Sequence, residues 1–400
     1  MSQWRSPALA VLSTYPPTPC GLATFAAALT EGLSAIGIRD VGVVRSAVDD
    51  SRSDDMRVVA LLRPGSTSSR LAVARRVNAY ECLLLQHEYG IYGGPDGSEV
   101  LDLLDEVEIP VVTTLHTVSL RPTASQRRIL ERIVDSSAAV VTMTETASAR
   151  LESGYDIDRN KISTIVHGAT VPRTLGSPPV SDEPTFLTWG LLGPGKGIEW
   201  VIDALGELKA RGLSARYVVA GRTHPRVLEN DGEAYREMLM ARAERLGVAD
   251  AVEFDPSYRP LGSLLDLIER STCVVLPYDS DDQITSGVLV DAIAAGRPVI
   301  ATRFPHAEEI LADGAGLLVG HAAPQHLAEA MERVITDRRL VANMSLVAAS
   351  MAPSYRWTAV AADYADLAAR VANPAYASQR VSPLASTAAF GGAASFGGGQ

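Results

Sequence analysis

Short apolar runs alternate with amphipathic stretches along most of the chain. Each run has the composition of a buried strand, and many are followed by a segment in which apolar positions recur every three or four residues. The predicted strands cover residues 8–13, 41–44, 56–62, 82–86, 110–114, 138–142 and 162–166, and then 185–189, 215–220, 251–254, 273–276, 298–301 and 316–318. Strands that alternate with helices in this way predict an α/β fold with mostly parallel sheets.

The amphipathic stretches and the prolines divide the chain into parts. Helices are predicted at residues 22–36, 198–211, 235–246, 261–271, 288–295 and 356–372. Four prolines and weak periodicity mark residues 172–184 as a linker between an N-terminal domain (1–171) and a C-terminal domain (185–355). Two tandem Rossmann-like domains are the simplest architecture. The Ala-, Ser- and Gly-rich tail, 373–400, is predicted to be disordered.

Composition narrows the classes of function. A net charge of −11 argues against nucleic acid or an anionic membrane as the main partner. The three cysteines are far apart and without zinc-type spacing, which favours a reduced, cytoplasmic protein with no metal site. The sequence has neither a leader nor a run of about 18 apolar residues, so no secretion and no membrane span is expected. Peripheral membrane contact stays open.

A carboxylate on an apolar segment is the most informative chemical feature. Asp291 is the only charged residue between Asp282 and Arg297. Because an unpaired charge is costly to bury, this side chain needs a polar partner, and a ligand is the leading candidate. The segment lies between two predicted strands and completes a βαβ unit, and parallel sheets bind ligands at the carboxyl ends of their strands.

The start of that predicted helix offers a site for an anion. Thr285 or Ser286 is expected to cap it, which leaves backbone N–H groups free to bind a phosphate. These N–H groups belong to Ser286, Gly287 and Val288. A phosphate at the helix start, with Asp291 farther along the helix, predicts a site for a nucleotide.

A glycine-rich turn with one lysine follows the strand at 185–189. It reads Gly190-Leu-Leu-Gly-Pro-Gly-Lys196-Gly197, and glycines let the backbone approach an anion while Lys196 adds positive charge. The turn matches neither GxGxxG nor the P-loop, which disfavours dinucleotide-dependent hydride transfer and P-loop ATP hydrolysis. Taken alone, a turn of this kind is a plain surface loop about as often as it is a binding site. This turn, however, shares its predicted domain with Asp291. Arg222, after the next strand, is a further candidate cation.

Polar residues also follow strands in the first half. His116 comes after the strand at 110–114, where a histidine is more often structural but is also suited to bind hydroxyl groups. The segment that begins His87-Glu88-Tyr89 is interpreted equally well as a surface loop or as a substrate-contacting loop. No Ser-His-Asp order, HExxH motif or close pair of acids occurs, so hydrolysis by those routes is disfavoured.

Together these motifs resemble the GT-B glycosyltransferases, and within them family 4, the retaining, nucleotide-sugar-dependent group 1 glycosyl transferases. The similarity covers about residues 8–372. It implies two Rossmann-like domains facing a central cleft, with the helix at 356–372 returning to the N-terminal domain. It also implies transfer of a hexosyl group from a nucleoside diphosphate sugar to an acceptor hydroxyl with retention, without a metal or another cofactor.

The resemblance assigns roles to individual residues. His116, Gln283 and Lys196 would lie nearest the reaction, His116 and Gln283 on the sugar and Lys196 on the diphosphate. The acceptor side would include His87, Glu88 and Tyr89. The implied donor-binding residues are Gly21, Lys196, Arg222, Gln283, Ser286, Gly287, Val288 and Asp291, of which Asp291 would accept hydrogen bonds from the ribose.

Two positions depart from the pattern of that family and leave alternatives open. Gln283 stands where the family has a glutamate, and Leu191 stands where it often has an arginine. The missing arginine mildly favours a sugar phosphorylase or a nucleotide-sugar epimerase. The missing glutamate is compatible with a non-catalytic protein that binds sugar nucleotides.

Overall fold

Two parallel sheets, each covered by helices, make up the protein. The computed structural model describes residues 7–48, 51–172, 175–180, 183–257 and 259–373. One sheet has seven strands and the other has six. The expected α/β class with two Rossmann-like units is confirmed. The tail beyond residue 373, which the sequence predicts to be disordered, lies outside the described residues.

The first sheet is built from the N-terminal part of the chain. Its strands are β1 (Leu9–Ser13), β2 (Val41–Ser46), β3 (Val58–Leu62), β4 (Cys82–His87), β5 (Val111–Leu115), β6 (Ala139–Thr142) and β7 (Ile162–Thr164). They run parallel in the order β3-β2-β1-β4-β5-β6-β7. The α-helices of this part are α1 (Gly21–Ala35), α2 (Thr67–Val77), α3 (Glu99–Leu104), α4 (Ala124–Ser136) and α5 (Glu145–Gly154).

The second sheet follows the linker. Its strands are β8 (Thr185–Trp189), β9 (Arg216–Ala220), β10 (Val252–Asp255), β11 (Cys273–Leu276), β12 (Val299–Thr302) and β13 (Gly316–Val319), in the order β10-β9-β8-β11-β12-β13. The helices of this part are α6 (Ile198–Ala210), α7 (Pro225–Asp231), α8 (Ala234–Arg245), α9 (Leu261–Arg270), α10 (Gly287–Ala294), α11 (Pro305–Leu311), α12 (Pro324–Thr336), α13 (Arg338–Tyr355) and α14 (Trp357–Ala372).

The apolar runs form strands because helices cover both faces of each sheet. Every residue of β1 and β4 is buried, as expected for a parallel sheet between two helical layers. All thirteen predicted strands are present, and their bounds agree to within two residues. In the second unit the sequence does not predict α7, α11, α12 or α13, although Leu327, Met331 and Val334 are buried at helical spacing on α12.

The last helix, α14, packs on the first unit. A Cβ at Gly32 of α1 would lie 2.7 Å from the carbonyl oxygen of Trp357, so only glycine allows this close approach of the two helices. The hydroxyl groups of Tyr364 and Thr114 are 3.0 Å apart, which ties α14 to β5. The chain therefore returns from the second unit to complete the core of the first.

Candidate donor site in the cleft

The strand order of the second sheet reverses between β8 and β11, and the candidate site lies there. Ligands of open α/β sheets bind at such a switch point, beyond the carboxyl ends of the strands. The glycine turn, residues 190–197, follows β8, and the donor loop, residues 277–286, follows β11. The backbone N–H of Asp279 donates to Gly195 over 3.0 Å, and the Trp200 indole donates to the Asp279 carboxylate over 2.9 Å.

One glycine is required where the two segments meet. A Cβ at Gly197 would lie 1.8 Å from the carbonyl oxygen of Pro277, and the residue has a φ of +67°. Both facts exclude a larger residue without a backbone shift. Gly197 therefore allows the backbone of the glycine turn, and Lys196 with it, to pack against the donor loop.

The start of α10 has two free N–H groups rather than the three predicted. Ser286 is the N-cap, and its hydroxyl accepts from the N–H of Leu289 over 3.3 Å. The N–H of Ser286 itself donates to Nδ1 of His306 over 2.7 Å, which corrects the prediction that this group is open to a ligand. Gly287 and Val288 have no backbone N–H partner within the described ranges. An anion can therefore bind at these two positions.

Asp291 has the environment that the sequence predicts. Its carboxylate makes no hydrogen bond or ion pair with any described residue, and it remains partly exposed. Burial among apolar neighbours raises its pKa to about 7. The hydroxyl of Thr285 is also buried without a hydrogen-bond partner. Two polar groups without partners, one just before this apolar helix and one on its second turn, indicate a ligand site.

Lys196 supplies a positive charge on the opposite wall. Its Nζ lies 4.5 Å from the centre of the Tyr278 ring, and no described acidic residue pairs with it. Tyr278 stacks on Phe304 with ring centres 5.3 Å apart, which fixes the platform under the ammonium group. The backbone carbonyl of Arg222 accepts from the N–H of Leu192 over 2.9 Å, so the backbone of Arg222 lies beside the glycine turn.

The first unit contributes a wall of neutral rings. Nε2 of His116 lies 2.9 Å from Oε1 of Gln86, and the imidazole meets the ring of Phe25 edge-on at 4.8 Å. Burial lowers the pKa of His116 to about 3. The imidazole of His167, whose pKa burial lowers to about 4, lies 3.2 Å from the Cβ position of Gly287. This wall therefore touches the start of α10.

Two further predicted donor residues occupy less constrained positions. Gly21 begins α1 behind the N-cap Cys20, and no atom lies within 4 Å of a Cβ placed on it, so packing does not require glycine there. The space beside it is open. The Gln283 amide donates to the carbonyl of Thr285 over 3.2 Å within the donor loop. The side-chain carbonyl oxygen of Gln283 can still accept a hydrogen bond.

The predicted acceptor-side residues differ in accessibility. His87 is the last residue of β4 and is fully buried, and neither ring nitrogen has a hydrogen-bond partner. The prediction that it contacts the acceptor is therefore not supported, because strands and helices enclose it. Tyr89 packs edge-on against His87. Glu88 is partly exposed, and its carboxylate accepts from the hydroxyl of Thr117 and from the N–H of Tyr89.

Several residues of the cleft were missed by the sequence reading. His306 and His167 lie close to α10, and Arg150 and Glu309 join the two units. A signal for the histidines was available, since both come within four residues of the end of a strand.

In the described part of the chain, no group of three or more His, Cys, Asp or Glu side chains could hold a metal ion. None of the described helices is both long and apolar enough to cross a membrane.

Comparisons with known proteins agree with this geometry. Residues 183–337, which contain the glycine turn, the donor loop and α10, match the family model of glycosyl transferases group 1. A D-inositol 3-phosphate glycosyltransferase of Corynebacterium glutamicum is 29% identical over 66% of this chain and 68% of its own length. A second such enzyme, from Corynebacterium urealyticum, is 28% identical over 60% of this chain and 59% of its own length.

Solved structures match most of the chain. The Anabaena protein HepE, crystallised with UDP and glucose, matches 90% of this chain and 99% of its own at 18% identity, with a TM-score of 0.66. Sucrose-phosphate synthase from Thermosynechococcus elongatus matches 90% of this chain and 97% of its own at 16% identity, with a TM-score of 0.70. The chain therefore shares the two-unit fold of these structures, and its second unit is similar to the glycosyl transferases group 1.

Proposed function

We propose that the protein is a retaining glycosyltransferase that binds a nucleoside diphosphate sugar between the glycine turn and α10. The observation that carries this proposal is Asp291, a carboxylate without a partner on an otherwise apolar helix. Ribose hydroxyl groups are donors that would satisfy it. The diphosphate would then lie near the N–H groups of Gly287 and Val288, opposite Lys196.

Catalysis in this proposal is mainly electrostatic. As the bond to the sugar breaks, negative charge develops on the leaving diphosphate, and Lys196 and the two N–H groups stabilise it. His116 and Gln283 would hold hydroxyl groups of the sugar. The acceptor hydroxyl would attack the anomeric carbon from the face that the diphosphate leaves, and its proton would pass to the departing diphosphate. The configuration is then retained without a side-chain nucleophile. Because these groups balance the diphosphate charge, we expect transfer to continue in the presence of a chelator.

The acceptor would bind on the first unit. A cavity of about 190 Å³ opens at the carboxyl ends of β2 and β3, beside the start of α2. Arg63, Arg70 and Asp102 contribute to its mixed polar lining. Since the two curated relatives are named for D-inositol 3-phosphate, we propose a phosphorylated polyol as acceptor, with its phosphate near the two arginines.

We also propose a cytoplasmic location, in keeping with three free cysteine thiols.

A donor and acceptor screen tests the proposal. The protein would be incubated with uridine, guanosine and adenosine diphosphate sugars, with and without inositol or inositol phosphate. We expect release of nucleoside diphosphate that depends on the acceptor, and NMR should show an unchanged anomeric configuration. Sugar release that requires inorganic phosphate would indicate a phosphorylase instead. Rearrangement of the nucleotide sugar without an acceptor would indicate an epimerase, and binding without turnover would indicate a binding protein.

A further inference from the structure

Helix α5 of the first unit is capped by the second unit. The carboxylate of Glu309, on α11, accepts from the backbone N–H groups of Glu145 and Thr146 over 2.9 and 3.0 Å. It also accepts from the hydroxyl of Thr146 over 2.9 Å. The first N–H groups of a helix have no partner inside the helix, and a negative charge there is stabilised by the helix dipole. Two of these groups on α5 are satisfied from across the cleft.

The donor loop is held from the same helix. Arg150, on α5, forms an ion pair with the Asp282 carboxylate and donates to the carbonyl of Val118 over 2.9 Å. The hydroxyl of Thr144, the N-cap of α5, donates to the carbonyl of Ile284 over 3.1 Å. The side chain of Ile284 is buried in an apolar cluster whose other members all belong to the first unit, among them Leu115 and Val118.

These contacts lie on both sides of Gln283. Asp282 precedes it and Ile284 follows it, and each is held by the first unit although the donor loop belongs to the second. The helix that carries Glu309 has His306 as its second residue, and the ring of His306 accepts from the N–H of Ser286. One set of contacts therefore links α5 to Gln283 and to the start of α10.

We propose that Arg150 and Glu309 are positioning residues that place Gln283 in the donor site only when the two units are in contact. This inference rests on the proposed function. Separation of the units would break the Arg150–Asp282 pair and withdraw Ile284 from its cluster, and the donor loop would lose its support. The carboxylates of Asp282 and Glu309 are partly exposed, with the Asp282 side chain at 40%, so water can replace their guanidinium and N–H partners when the units separate, and the arrangement is suited to reversible closure.

A charge-swap series tests this inference. Arg150→Glu should lower kcat by about 10-fold or more while the Kd for the nucleoside diphosphate changes by less than about 3-fold, because the misplaced group acts on the transferred sugar. Arg150→Glu combined with Asp282→Arg should recover most of the lost kcat. Glu309→Gln should show a smaller loss of the same kind.

Arg121 provides a matched control. It also faces an acid of the second unit, Asp281, but the atoms are 3.9 Å apart and both side chains are largely exposed, at 82% and 77%. Arg121→Glu should therefore leave kcat and Kd unchanged. If Arg121→Glu lowered kcat as much as Arg150→Glu, a general effect of charge between the units would explain the data, and the inference would be wrong.

Small-angle X-ray scattering gives a readout that does not depend on activity. Arg150→Glu should have a larger radius of gyration than the wild-type protein, and the double variant should return to the wild-type value. This comparison remains decisive even if no donor is turned over, in which case the proposed function alone fails. Equal radii for all three proteins, or a loss of kcat that the double variant does not recover, would overturn the positioning role.

Discussion

The carboxyl edges of the two sheets face the same cleft but differ in whether their charged groups have partners. On the edge of the second sheet, Asp291 and Lys196 lack partners of opposite charge among the described residues. On the edge of the first sheet, His116 is bound to Gln86 and Glu88 to Thr117. The second unit therefore presents charged groups without partners, whereas the first presents the neutral rings of Phe25, His116 and His167 and a carboxylate, Glu88, that is already hydrogen-bonded.

Among the substitutions that test this difference between the two edges, replacement of Lys196 should lower kcat the most. Lys196→Gln removes the cation that is proposed to stabilise the leaving diphosphate, and we expect kcat to fall by about 100-fold or more. Lys209→Gln is the control, because Lys209 donates to the carbonyl of Gly247 at the far end of α6. Steady-state kinetics with a saturating donor would measure both. An unchanged kcat for Lys196→Gln would mean that Lys196 does not stabilise the leaving diphosphate.

Asp291→Asn should weaken donor binding. Loss of a charged acceptor for the ribose hydroxyl groups is expected to raise the Kd for the nucleoside diphosphate by about 10-fold to 100-fold. Isothermal titration calorimetry would measure this, with Asp313→Asn, at an exposed acid, as the control. If both variants bound as tightly as the wild-type protein, the unpartnered carboxylate would have no role in donor binding.

His116→Asn should have a smaller effect, and one of a different kind. The residue belongs to the neutral wall and is proposed to contact the sugar, so kcat should fall by about 10-fold while the Kd for the nucleoside diphosphate stays the same. His326→Asn, at an exposed position on α12, is the control. A higher Kd with an unchanged kcat would place His116 on the nucleotide and remove the distinction between the two edges.

The raised pKa of Asp291 predicts a pH dependence of stability in the ligand-free protein. The carboxyl group ionises near pH 4 in an unfolded chain and near pH 7 in the fold, so the unfolded chain loses the proton first. The contribution of this group to stability therefore falls as the pH rises from about 4 to 7. Because the side chain is partly exposed, we expect Asp291→Asn to gain about 1 to 2 kcal/mol over the wild-type protein between pH 5 and pH 8.

Urea unfolding at the two pH values would measure this difference. Asp313→Asn should show no such change in its stability relative to the wild-type protein. A difference between Asp291→Asn and the wild-type protein that is the same at pH 5 and pH 8 would mean that Asp291 ionises in the fold as it does in water.

Local sequence patterns predict the strands and the residues of the candidate donor site better than they predict the contacts between the units. The apolar runs, the glycine turn and the lone charge of Asp291 are short-range features, and each is found where the sequence indicates. The pair of Arg150 and Asp282 joins positions 132 residues apart, and Glu309 binds α5 from 163 or 164 residues away. Such contacts depend on how two folded units meet, which periodicity does not encode.

The start of α10 shows the same limit at close range. The sequence correctly identifies Ser286 as one of two candidate caps, because a serine before an apolar helix is a local signal. It does not reveal that the ring of His306, twenty residues later, takes up the N–H of Ser286. The capacity of a helix start to bind an anion therefore depends on tertiary contacts as well as on the cap.

Binding of a nucleoside diphosphate and its 2′,3′-dideoxy analogue to the wild-type protein and to Asp291→Asn tests the central claim most directly. If Asp291 accepts hydrogen bonds from the ribose, calorimetry should show the wild-type protein binding the dideoxy analogue about 10-fold to 100-fold more weakly, while Asp291→Asn binds both ligands with similar, weak affinity. Equal affinities of the wild-type protein for the two ligands would contradict the account, as would full discrimination by Asp291→Asn.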